Sequence, residues 1–280
     1  MIKLKQFESI LQQVKDFEEP KIKYEQYCTN SHLASHILYN IATKFGFEEK
    51  SVIDLGCGTG MLTIGCSILG ANQILSVEID PNALEIAKEN ISDLIFEDSS
   101  NSEEEDGDEE EEDGVEEEEQ EQEEEEEEEE QEQEQEQEQE QKEEQNSENE
   151  EQKVIKEIIS LDDITLVECD VFKLTQKEII EIYGEDIRFD CAILNPPFGT
   201  KIKGVDVKFV TKALEFIKPG GSVFSFHKTT TRKFLIKHFT NMGYNVDVLF
   251  QVKFDLPKSY KFHRKKNVEI MVDILHITKK

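Results

Sequence analysis

The sequence predicts an α/β fold: a seven-stranded, mostly parallel sheet with helices on both faces. Three observations carry this reading. The apolar run Ser51 to Leu55 passes through Gly56-Cys57-Gly58-Thr59-Gly60 straight into the amphipathic segment Met61 to Leu69. Strand, glycine turn and helix in that order point backbone N–H groups at a ligand beyond the strand's carboxyl end. Strand-like and helix-like segments then alternate five times in all. Finally, two long alternating runs, Tyr244 to Val252 and Asn267 to Ile277, have no helix between them and so pair antiparallel.

Ahead of the sheet, Leu4, Phe7, Ile10, Leu11 and Val14 recur at helical spacing and predict a helix over residues 3–15. Pro20 breaks the chain, and Tyr24 to Thr29 reads as an extended polar-aromatic loop. Ser31 to Phe45 is a second helix, closed by Gly46. His32 and His36 stand four apart on it; the sequence offers no third ligand nearby, so they read as surface histidines and no metal is expected. Strand one is Val52 to Leu55. Strand two, Gln73 to Val77, leads to Glu78-Ile79-Asp80, and Pro81 suits the first turn of the helix Asn82 to Ile91. Strand three is Ile164 to Glu168, followed by a helix near Gln176 to Tyr183 and by strand four, Phe189 to Leu194. A helix over Asp206 to Ile217 stops at Pro219-Gly220-Gly221; strand five is Ser222 to Phe226, and the helix Thr230 to Met242 ends at Gly243.

Charge divides the chain. Between Glu97 and Glu151, 35 acidic residues face one lysine, which accounts for the net charge of −33 and leaves the remainder near neutral. Like charges at i and i+4 oppose a helix there, and there is almost nothing apolar to bury. Residues 1–98 and 152–280 are therefore expected to form a single domain, and 99–151 a disordered acidic insertion. Either the insertion is a tolerated loop, or it is an arm that mimics nucleic acid or binds a basic partner. Five scattered cysteines without Cys-x-x-Cys spacing read as reduced thiols of an intracellular protein. The N-terminus lacks a signal-peptide core and no apolar run is long enough to span a bilayer, so no membrane partner is expected.

The glycine loop reads Asp-x-Gly-x-Gly-x-Gly from Asp54. The dinucleotide fingerprint is Gly-x-Gly-x-x-Gly, so this spacing favours S-adenosylmethionine over NAD. Together with five βα units and a terminal β-hairpin it matches the class I S-adenosylmethionine-dependent methyltransferase fold. Asn195-Pro196-Pro197-Phe198 ends strand four, beside strand one at the switch point where ligands bind in such sheets. Alone it would be a rigid turn; at this position it has a chemical reading. An exocyclic amine such as adenine N6 is a poor nucleophile because its lone pair is delocalised. The Asn195 side-chain oxygen and the Pro196 carbonyl can hold its two hydrogens and aim the lone pair at a sulfonium methyl. Pro196 and Pro197 fix that backbone, and Phe198 offers a ring for stacking.

At these residues the chain resembles the methyltransferase-like protein five group, adenine-N6 methyltransferases acting on small-subunit, 18S-type ribosomal RNA. The likeness covers nearly everything outside the acidic insertion. It runs through Leu11 to Val14, Glu25-Gln26-Tyr27-x-Thr29, Asp54 to Gly58, Asn195 to Thr200 and Asp255 to His263. The resemblance implies cofactor contacts from Gln26, Thr29, Gly56, Thr59 and Met61. It gives Glu78 both ribose hydroxyls, and Asp170 with Val171 the adenine ring. The insertion departs from the group's short connection there, and Thr59 stands where cysteine is expected in some relatives. The resemblance also implies a small zinc-binding activator subunit, forming a heterodimer. Strand three, expected at the sheet edge, is a natural place for that partner to add a strand. Nucleus and cytoplasm are the expected compartments.

Lys201, Lys203, Lys258, Lys261, Arg264, Lys265 and Lys266 are interleaved with Tyr260, Phe262 and His263 on two loops. Basic loops with aromatics suit a flipped base and its phosphate backbone, and Lys201, Lys203, Lys261, Phe262, His263, Arg264 and Lys265 are the expected RNA contacts. Two other readings compete. One is a protein glutamine methyltransferase, whose side-chain amide fits the same two acceptors. The other is a catalytically silent cofactor-binding scaffold that works through its acidic arm.

Overall fold

The computed structural model describes residues 2–27, 29–96, 154–256 and 268–279. The acidic tract, Cys28 and the loop that carries Lys258, Tyr260, Lys261, Phe262, His263, Arg264, Lys265 and Lys266 lie outside the described residues.

Helix α1 (Leu4–Leu11) turns Phe7 and Leu11 inward. Helix α2 (Ser31–Phe45) starts where the Asn30 side chain accepts from the His32 N–H, and ends at Gly46, whose φ of 71° suits a residue without a Cβ. Strand β1 (Ser51–Leu55) is buried along its whole length and leads through the glycine loop to α3 (Met61–Ile68). β2 (Gln73–Glu78) and α4 (Pro81–Ile91) follow, with Asp80 capping α4 and Pro81 in its first turn. Beyond residue 153 come β3 (Ile155–Leu161), β4 (Ile164–Cys169) and α5 (Gln176–Tyr183), whose start is closed by a Thr175–Glu178 capping box. The chain finishes with β5 (Phe189–Leu194), α6 (Val205–Phe216), β6 (Ile217–Lys228), α7 (Arg232–Asn241), β7 (Asn245–Leu256) and β8 (Val268–Thr278).

The sheet order is β3-β4-β2-β1-β5-β6-β8-β7. The five central strands run parallel; β3, β8 and β7 each run antiparallel to a neighbour. From β1 the chain builds outward through β2 to β4, then crosses to β5 on β1's other flank, so the switch point lies between β1 and β5. Alternate residues of the buried strands feed two cores. Val52 joins Phe7, Leu38, Ile64 and Leu84 under α1 to α4. Ile53 and Leu55 join Ile179, Phe209 and Phe239 under α5 to α7. Each such side chain taken from water contributes about 1.5–3 kcal/mol, so both faces are strongly fixed.

The sheet has eight strands where the sequence predicted seven. β3 was hidden at the end of the acidic tract: a bulge between Ile155 and Glu157 breaks its alternation, and Ile158 faces solvent. Consequently Ile164 to Glu168 is not an edge strand. It is paired on both sides, and the two-residue turn Asp162–Asp163, with Asp162 at φ 45°, folds β3 over its outer edge. The first helix also stops at Leu11 rather than at residue 15, and Ile217 opens β6 instead of ending α6.

Candidate active site

Beyond the carboxyl ends of β1, β2, β4 and β5 lies a cavity of about 310 Å³. Its floor is the glycine loop, Gly56 to Thr59 with Met61 and Leu62. Gly56, Gly58 and Gly60 have φ of 75°, 55° and 90°, values an L side chain rarely adopts. A Cβ on Gly58 would stand 2.8 Å from Phe17 Cζ, and one on Gly56 would stand 3.2 Å from Phe209 Cε1. The loop is bare because the cavity needs the space.

Glu78 ends β2 on the cavity wall. Its Oε1 accepts from the N–H groups of Ile79 and Asp80 at 2.9 and 3.0 Å, and its Oε2 from Gly58 at 2.9 Å. Burial pushes this carboxyl up, against those three hydrogen bonds. Below the loop, the Asp54 carboxyl is pushed up to about 7, chiefly by burial. Its Oδ2 accepts from the Thr63 hydroxyl at 2.8 Å, while Oδ1 is buried without a partner among the described residues. Asp170, Val171 and Phe172 form the wall opposite, with Phe172 edge-on to Phe209.

The segment from Phe17 to Thr29 closes the cavity's other side. Asp80 pins it: the Lys21 ammonium donates to Oδ1 at 2.8 Å, and Gln26 Nε2 to Oδ2 at 2.7 Å. Burial raises Asp80, but these two donors, with the Asn82 N–H and the Lys21 charge, outweigh it and hold the carboxyl below its ordinary value. Gln26 Oε1 meanwhile accepts from the Lys21 N–H, so in this structure the Gln26 amide fastens the segment. Glu25, buried and left-handed at φ 52°, reaches the opposite way. Its carboxylate accepts from the Tyr27 hydroxyl at 3.0 Å and from the Lys201 N–H at 2.8 Å. One acid thus joins the 17–29 segment to the loop that follows Phe198.

That loop leaves β5 at Asn195. The Asn195 amide Nδ2 donates to Thr29 Oγ1 at 2.9 Å. Asn195 and Pro197 line the cavity, whereas Pro196 and Phe198 do not. Phe198 is buried, stacked on Tyr27 at 6.1 Å and edge-on to Phe254 at 5.9 Å, with the Lys228 ammonium 5.7 Å above its ring. The ring expected to stack a base is thus taken up in packing; Tyr27 is the aromatic of that cluster on the cavity wall. Lys201 and Lys203 are exposed on the loop, as expected for a rim.

The structure brings together every residue expected at the cofactor: Gln26, Thr29, Gly56, Thr59, Met61, Glu78, Asp170 and Val171 all line one cavity. S-adenosylmethionine fits this donor set: a bare glycine loop, an acid at the end of β2, and an acid with apolar neighbours after β4. Sequence reasoning missed Glu25, Phe17, Phe209 and Lys228. Glu25 stood in a motif already noticed, but its second partner, Lys201, is 176 residues away.

Residues 37–115 match the family model described as ribosomal protein L11 methyltransferase (PrmA). Over 279 residues the chain is 33% identical to the rRNA N(6)-adenosine-methyltransferase METTL5 of Danio rerio, covering 99% of each. It is 32% identical over 275 residues to rRNA N(6)-adenosine-methyltransferase metl-5 of Caenorhabditis elegans, covering 96% of this chain and 95% of that one. Among solved structures, the Pyrococcus horikoshii protein PH1948 superposes with a TM-score of 0.65 at 25% identity, over 100% of this chain and 98% of its own.

Proposed function

The chain belongs to the rRNA N(6)-adenosine-methyltransferase METTL5 family, and from that premise we propose how its residues carry the reaction and on which RNA. It is an RNA (adenine-N6)-methyltransferase, and S-adenosyl-L-methionine is its methyl donor. The substrate we propose is small-subunit, 18S-type ribosomal RNA.

The observation that carries the mechanism is the Asn195–Thr29 hydrogen bond. By committing Nδ2 to Thr29, the amide leaves Oδ1 to accept from an incoming amine. We assign the amine's second hydrogen bond to the carbonyl of Pro196, a buried residue between the cavity-lining Asn195 and Pro197, and the two prolines stiffen that backbone. S-adenosylmethionine supplies an electrophilic methyl on a sulfonium. Glu78 and Asp170 bind the donor's sugar and base edges, and the glycine loop lets its chain lie against backbone. Lys201 and Lys203, exposed on the loop after Phe198, contribute positive charge for the RNA backbone; Lys261, Phe262, His263, Arg264 and Lys265, outside the described residues, are proposed as further RNA contacts.

The likeness to ribosomal protein L11 methyltransferase spans residues 37–115, the donor half, and so speaks to the cofactor rather than the acceptor. We further propose that the chain works as a heterodimer with a small zinc-binding activator subunit. The outer edge such a partner would meet is Ile155–Leu161, with Ile158 exposed. Nucleus and cytoplasm are the proposed compartments, and residues 1–98 with 152–280 the proposed single methyltransferase domain; the acidic tract lies outside the described residues.

A methyl-transfer assay tests the function. Purified chain with the activator subunit is offered labelled donor with small-subunit rRNA, large-subunit rRNA or a release factor. N6-methyladenosine in the small-subunit RNA is expected. Label in the large-subunit RNA or in protein would overturn the substrate.

A further inference from the structure

Away from the methyl-transfer site, α2 carries two histidines that the reaction does not use. His32 and His36 lie one helical turn apart, on the same face, with ring centroids 4.4 Å from each other. What the sequence could not supply, a third group, comes from α1. Glu8 Oε1 lies 2.8 Å from His32 Nδ1, and its Oε2 lies 3.9 Å from His36 Nε2. One donor atom from each of the three residues falls within 4.8 Å of the other two.

We propose that Glu8, His32 and His36 form a binding site for a divalent transition-metal cation of the zinc type. Two imidazoles and a carboxylate, with a fourth position open, are a donor set such cations use. Donors around tetrahedral zinc stand roughly 3.4 Å apart, from bond lengths near 2.1 Å. The present separations straddle that value, so small side-chain rotations suffice. Hydrogen bonding alone serves the trio less well, because 3.9 Å leaves the His36 contact too long for a hydrogen bond. Imidazole also sorts the cation: it favours zinc, copper, nickel and cobalt over magnesium and calcium. His32 and His36 are 63% and 43% exposed while Glu8 is 22% exposed, so the open position faces solvent.

Such an ion would staple α1 to α2. Phe7 and Leu11 already pack α1 into the core, and the chain leaving α1 becomes the segment that walls the cofactor cavity. Because the full donor set exists only when the two helices are docked, the ion binds that state more tightly and stabilises the fold by mass action.

The test uses the full chain, acidic tract included, since that tract also offers carboxylates to cations. Calorimetry with Zn²⁺ in the presence of about a hundredfold excess of Mg²⁺ isolates the imidazole-dependent site. One ion per chain is expected, with affinity at least about tenfold weaker in Glu8→Gln and abolished in the His32→Ala/His36→Ala double variant. Co²⁺ should give visible ligand-field bands in the wild type and not in the double variant. The histidines are 63% and 43% exposed and Glu8 is only partly buried, and metal-free melting temperatures check that each variant is folded. Zn²⁺ should raise the melting temperature of the wild type, raise that of Glu8→Gln less, and leave the double variant unchanged. Equal zinc affinity in wild type and double variant, no binding to either, or equal thermal shifts in both would overturn the site.

Discussion

Asn195 and Thr29 are 166 residues apart in the chain, yet the amide of one donates to the hydroxyl of the other at 2.9 Å. Thr29 therefore has a second task besides lining the cofactor cavity: it decides which way the Asn195 amide faces. Thr29→Val keeps the shape and removes the acceptor, so the amide can turn its N–H groups toward the incoming amine. Single-turnover methylation should slow by about tenfold, and by at least about a hundredfold in Asn195→Ala, the scale of losing one preorganised partner. Full activity in Asn195→Ala would mean that another group orients the acceptor.

Glu25 couples the two loops through Tyr27 and Lys201. Hydrogen bonds to a charged acceptor are worth about 1.5–3 kcal/mol. If that support is felt in the transition state, Glu25→Ala should lower kcat by roughly ten- to a hundredfold, while Glu25→Gln retains most activity. Steady-state kinetics on an rRNA stem-loop read this directly; an unaltered kcat in Glu25→Ala would leave the clamp without a catalytic role.

Glu78 serves both loop and ligand. Glu78→Ala should weaken donor binding by roughly 1–3 kcal/mol through lost charge-assisted hydrogen bonds. It also strips the acceptor from the N–H groups of Gly58, Ile79 and Asp80, so the melting temperature should fall even without donor. Calorimetry that finds unchanged affinity would remove Glu78 from the cofactor site.

The Asp54 carboxyl gives the donor-free protein a pH signature. Its ordinary value is 3.8 and burial lifts it to about 7. Below the lower value it is protonated in both folded and unfolded chains; between the two, only the folded chain keeps the proton. The folded state binds more protons in that window, so the stability contribution falls as pH rises from 3.8 to about 7 and is level above. Asp54→Asn should remove this slope. Urea unfolding at steps across the window checks it, and parallel profiles for wild type and variant would refute it.

Much of this site could be read from the sequence because its parts are contiguous. The glycine loop and Asn195 to Phe198 each announce a strand end and a turn within ten residues. Glu25, Lys228 and Glu8 could not be found this way. Their partners lie 176, 30 and 24 residues off, and only packing brings them within reach. Strand β3 escaped because a bulge and two charged residues obscure its period. The packing of Phe198 was hidden for a related reason: an aromatic after two prolines looks available, and only the fold shows its ring against Tyr27 and Phe254.

The four described cysteines, Cys57, Cys66, Cys169 and Cys191, are all buried and free. Burial is the leading cause that raises each thiol, to about 11 at Cys169, about 12 at Cys191, and well above the ordinary value at Cys57 and Cys66. A thiol held protonated and away from water does not meet an alkylating reagent until its surroundings open. These side chains are spread over the glycine loop, α3, β4 and β5, so they form a set of built-in clocks. Pulse alkylation followed by mass analysis would time the opening of each part, and adding donor should slow Cys57 most, since of these four it is the one that lines the cavity.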